Sequence, residues 1–115
     1  MPITRQDIAD QLSTLDGITG TATPPRTPGP GQGWPEWQQT TPSTMSGDEI
    51  TWAVHVTLPN GSPDSTVMEA DALVGALMDC LYDLGEIQTV QPTTLVLQQG
   101  GAQGLPCITV TMTTV

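Results

Sequence analysis

The chain carries one imidazole, His55, and two thiols, Cys80 and Cys107, the first candidates for side-chain chemistry. A histidine can serve as a general base or hold a metal ion, but either task needs further ligands or an orienting carboxylate at a suitable spacing. His55, in TWAVHVTL, has no second His, Cys or Asp at such a spacing and reads as a surface residue on the polar side of a strand. Cys80 and Cys107 form neither a CxxC pair nor a zinc spacing, which predicts reduced, structural thiols. The carboxylates have no His or Lys neighbours to tune an acid or a base. GxGxxG, HExxH and GxSxG are absent. GPGQG imitates a glycine-rich phosphate loop only superficially, because its prolines remove N–H groups a phosphate would need. No catalytic residue, cofactor or metal site is assigned, and the expectation is a non-enzyme.

Charge narrows the partners. Twelve Asp and Glu against two Arg and no Lys give a net charge of −10 over 115 residues. That sign is wrong for holding phosphate backbones or anionic lipid, so nucleic-acid binding and membrane association are both disfavoured. No apolar run approaches the roughly 20 residues needed to cross a bilayer, and the N-terminus lacks the basic and apolar regions of a signal peptide; residence in cytoplasm is expected. With no Phe, one Tyr and three Trp, a lone protomer has a thin core, which points to stabilisation by neighbours.

The elements that must position any interaction surface are led by Asp64 to Gly85. Val67, Ala70, Val74, Leu77, Leu81 and Leu84 advance in steps of three and four and share one helical stripe, widened by Leu73 and Met78. Thr66 with Glu69 suggests a capping box, and Gly85 a left-handed residue closing the helix. The opposite face carries Glu69, Asp71, Asp79, Asp83 and Glu86 without one Lys or Arg. Asp79, Asp83 and Glu86 crowd the negative end of the helix dipole, so helix stability did not select them. They are either a solvated face or a surface that meets a cationic partner or lines a channel.

Earlier in the chain, Thr4 and Asp7 predict a second capping box, Ile3 and Ile8 a hydrophobic staple, and Ile8, Leu12 and Leu15 the stripe of a helix of about three turns ended by Gly17. Ile18 to Ala22 reads as a brief strand. Residues 23–47 hold six of the eleven prolines (24, 25, 28, 30, 35 and 42) and four of the twelve glycines, which argues against a central strand and for an extended arm. Two tryptophans are rarely placed in a disordered linker. Alternation puts Trp34 and Glu36 on one side of an extended piece and Trp37 on the other; the indoles either cover the domain's own core from an edge strand or dock on a neighbouring subunit.

EITWAVHVTL (49–58) is the clearest strand, with Ile50, Trp52, Val54, Val56 and Leu58 on the core side. PNGSPD turns the chain into the main helix. After it, Glu86 to Leu97 is extended with Pro92 marking an edge or bulge, QQGGAQG is a turn, and CITVTMTTV closes a hairpin. The order predicts a single α+β domain spanning 1–115: a mostly antiparallel sheet packed against two helices, with the long Pro/Gly-rich arm at 23–47.

TRQDIADQLSTLDGITG, the loop GWPEWQQT, the strand TWAVHVTLP, the helix ALVGALMDCLYDL, then VQPTTLVL and a last hairpin strand, taken in that order, resemble the small tail terminator proteins of long-tailed (siphovirus-type) actinobacterial phages. The resemblance spans nearly the whole chain and rests on order and length, without an invariant motif. It implies a virion protein at the head-proximal end of the tail, assembled in the host cytoplasm. There it would form a homo-oligomeric ring, commonly a hexamer, that ends tail-tube polymerisation and joins the head-tail connector. The partners implied are the chain itself, the tail tube protein and the connector protein, with DNA passing through the lumen unbound. Trp34, Trp37, Asp79, Asp83 and Glu86 are the expected interaction residues. Another head-tail connector or a minor tail protein is the neighbouring reading. A small acidic inhibitor whose helix mimics nucleic acid is the reading from a different class.

Overall fold

The computed structural model describes residues 3–15, 17–24, 26, 31–42, 48–58, 63–95 and 105–114, with side chains at all of these except 63–70, 93–95 and 105–106. Helix α1 (Arg5–Leu12) begins as the sequence predicts: Thr4 Oγ1 accepts from the Asp7 amide, and the Asp7 carboxylate accepts from the Thr4 amide at 2.8 Å. Ile8, Ala9 and Leu12 form its buried side. It stops after about two turns, with Ser13 as its C-cap. Gly17, at φ 80°, therefore turns the chain into the next strand rather than closing the helix.

Five strands follow, β1 (Thr19–Gly20), β2 (Gln32–Thr41), β3 (Glu49–Thr57), β4 (Glu86–Leu95) and β5 (Leu105–Thr114), interrupted by α2 (Pro63–Tyr82) between β3 and β4. The sheet order is β1-β2-β3-β5-β4, with β1 parallel to β2 and every other pair antiparallel. The domain is thus α+β, a mostly antiparallel sheet with two helices.

The segment expected to hold no central strand contains the ten-residue β2. Beyond Gly33, the partner of the last β1 residue Gly20, no other described strand pairs with the outer side of β2. Pro35 therefore sits at an edge, where a missing N–H is tolerated. Residues 25, 27–30 and 43–47 of the proposed arm lie outside the described residues, as do the predicted turns at 59–62 and 98–104.

One face of the sheet carries both helices. Trp52, Val54 and Val56 of β3 and Ile108, Val110 and Met112 of β5 alternate inward. They meet Ile8 and Leu12 from α1 and Leu73, Leu77 and Leu81 from α2 in a single core. The Trp52 indole N–H is satisfied inside the protein by Thr114 Oγ1 at 2.9 Å. Met78, expected to widen the buried stripe, is 44% exposed. The helix starts at Pro63, a favourable first position, so Thr66 lies in its first turn rather than at its cap. It ends at Tyr82, so Glu86 belongs to β4 and not to the helical face. Gly85 is not left-handed. A Cβ there would overlap the Thr113 carbonyl oxygen, and glycine is needed for this close passage across β5.

Candidate interaction surfaces

The second face of the sheet holds His55. Register places it between Trp34 on β2 and Thr109 on β5. Its Nε2 lies 2.7 Å from Glu36 Oε2 and its Nδ1 3.0 Å from Thr109 Oγ1, while the Trp34 ring leans against it at 5.7 Å between centroids. The expected surface histidine is thus half-buried and held on both nitrogens. Hydrogen bonding to Cys107 raises its pKa above the ordinary value, burial opposes this, and Glu36 raises it further. Cys107 is buried on the same face, and no disulfide joins it to Cys80. No group of three or more His, Cys, Asp or Glu among the described residues could hold a metal ion. The cluster ties β2, β3 and β5 together; the nearest thiol is closed off from solvent, which suits structure better than nucleophilic chemistry.

The two indoles of β2 separate as alternation predicts. Trp34 and Glu36 share the His55 side, whereas Trp37 pairs with Trp52 on the helix side. Their exposures differ sharply, 5% for Trp34 against 53% for Trp37. Trp34 belongs to its own sheet, and only Trp37 is available to a partner. The Trp37 indole N–H already donates to Thr40 Oγ1 at 2.8 Å, so its exposed part is apolar. Arg5 stands close by. Its guanidinium lies 5.8 Å from the centre of the Trp52 ring, within cation–π range, and donates to the Pro35 carbonyl oxygen at 3.5 Å.

At the far edge of the sheet, Asp79, Asp83 and Glu86 are all exposed, as expected of an acidic face. Asp79 and Glu86 border apolar surface between α2 and β4. Met78, Asp79, Tyr82, Glu86 and Ile87 line a hollow of about 290 Å³ between α2 and β4, and Tyr82 is 76% exposed. The legible signal was the i,i+4 spacing of Met78 and Tyr82, which sets both beside the Leu77 and Leu81 stripe rather than within it. Among the described residues, the exposed large hydrophobic side chains are Trp37, Met78 and Tyr82. No helix among the described residues is long and apolar enough to cross a membrane. Comparison with protein families, characterised proteins and solved structures finds no match to this chain.

Proposed function

We propose that this chain is a structural tail terminator: a ring-forming protein that caps a phage tail tube, ends its polymerisation and presents a joining surface to the head connector. The observation that carries the reading is the resemblance along the chain from TRQDIADQLSTLDGITG to the last hairpin strand. Three physical features support it. A domain with one Tyr and no Phe gains from neighbours that complete its burial. Apolar surface is exposed at both edges of the sheet, at Trp37 on one side and at Met78 and Tyr82 on the other, as repeated contact around an axis requires. A net charge of −10 with no lysine gives a lumen past which DNA phosphates move without being held.

The partners of this reading are further copies of the chain, tail tube subunits on one rim and connector subunits on the other, with DNA in transit and no cofactor. The test is assembly in phage that lack this protein. Tails of uncontrolled length, or tails that fail to join heads, are expected; normal tails joined normally would refute the assignment. The purified protein should leave DNA mobility unchanged at low salt, and tight binding there would refute the role given to the charge.

A further inference from the structure

We propose that copies of this chain associate side by side, with Trp37 of one copy seated in the hollow between α2 and β4 of the next. The proposal rests on the ring reading above and specifies its contact.

Sheet register supplies the first argument. Trp37 is level with Trp52, Trp52 with Met112, and Met112 with Ile87, so one row on the helix-bearing face runs from the exposed indole at one edge to the floor of the hollow at the other. Strand direction supplies the second. β2 opposes β3, β3 opposes β5 and β5 opposes β4, so β2 and β4 run in opposite directions. A copy moved sideways in the plane of the sheet thus sets its β2 antiparallel to the first copy's β4 with the helices of both on the same face. At equal level, Trp37 then meets Met78, Tyr82 and Ile87.

Chemistry agrees with this geometry. The exposed large apolar side chains of the described residues are divided between knob and hollow. Because the Trp37 N–H is satisfied by Thr40, the indole enters an apolar site without losing a hydrogen bond. Arg5, held beside Trp52 on the knob side, is opposite in charge to Asp79 and Glu86, which line the hollow. Both edges carry a proline, Pro35 and Pro92. Both also carry a bulge at the same level, where Gln38 and Gln88 fall outside the register. These features break any long backbone ladder between the two edges, leaving the side-chain fit to set the register. The two patches differ, so the contact is heterologous; in the ring reading each step also turns the next copy about a common axis, which closes the array.

Sedimentation velocity of the full chain, of Trp37→Glu and of Met78→Glu tests the contact. The wild type should sediment as a closed oligomer, and each variant as a monomer with the wild-type circular dichroism spectrum. Mixed in equal amounts, the two variants should form a heterodimer and nothing larger, because each keeps one intact patch. Tyr82→Glu, at a more exposed position, replaces Met78→Glu should the latter lose its fold. Variants that keep the wild-type oligomer, a mixture that stays monomeric, or a wild type that is itself monomeric would each overturn the contact. The ring-terminator reading would fall separately, on normal tails in phage lacking the protein.

Discussion

Trp34 lies tilted by 41° against the His55 ring across the β2–β3 pair, and this contact makes it part of its own domain. Trp37, three residues on, faces the other side and stands half in solvent. The two tryptophans of GWPEWQQT therefore answer differently to truncation. Trp34→Ala should cost about 3–5 kcal/mol in a denaturant titration, the range for a large buried aromatic. Trp37→Ala should shift the midpoint of the isolated protomer by much less and act on self-association instead. Equal destabilisation by both would contradict the separation of roles.

Leu77 is fully buried at the centre of the helix–sheet interface. Leu77→Ala should lower unfolding free energy by about 2–5 kcal/mol, combining lost transfer energy with the cavity left behind. An unchanged denaturant midpoint would show that α2 does not pack on the sheet through this stripe.

His55 gives stability a definite pH dependence. Its native pKa is raised from 6.5, so the proton is bound more tightly in the folded state than in the unfolded chain. The added stability is fully present below the unfolded value and fades as pH rises through the native one. The Glu36 side of the cluster is largely exposed, which keeps that ion pair in the weak class of surface pairs. Denaturant midpoints of wild type and His55→Gln, compared from about pH 5.5 to pH 8.5, should therefore converge toward high pH. A gap that widens as pH rises would contradict the assignment.

The Cys80 thiol is pushed up to about 11 by burial first and by the adjacent Asp79 charge second. Its thiolate fraction near neutral pH is consequently small, and thiolate is the reactive form. Alkylation of Cys80 in the native protein near pH 8 should be far slower than in denaturant; equal rates would show the thiol to be more open than its position on α2 indicates.

Periodic patterns were the legible part of this sequence. The 3.6-residue spacing of Leu73, Leu77 and Leu81 and the strict alternation from Ile50 to Leu58 each encode burial on one face, and local chemistry alone sets the Thr4–Asp7 capping box. Pro35 and the glycines beside it exclude a central strand and leave an edge strand or a docking arm open; β2 takes the edge position, at a length of ten residues that the short GWPEWQQ pattern does not specify. Gly85 has the local pattern of a helix terminator, and nothing local reveals that Thr113, 28 residues later in number, passes against it. The Glu36–His55 pairing and the alignment of Trp37 with Ile87 depend on register across strands distant in the chain, which no local pattern specifies. Of the acidic residues singled out, Asp79, Asp83 and Glu86 do gather at one end of the fold, though on a helix, a turn and a strand rather than on a single helical face.

The proposed role is to stop a growing tube. Its most direct test is the length distribution of tail tubes, seen by electron microscopy, as purified protein is added to polymerising tail tube subunits. Tubes should shorten with increasing dose and carry a ring at one end only. Tubes of unchanged length with bare ends at every dose would contradict it.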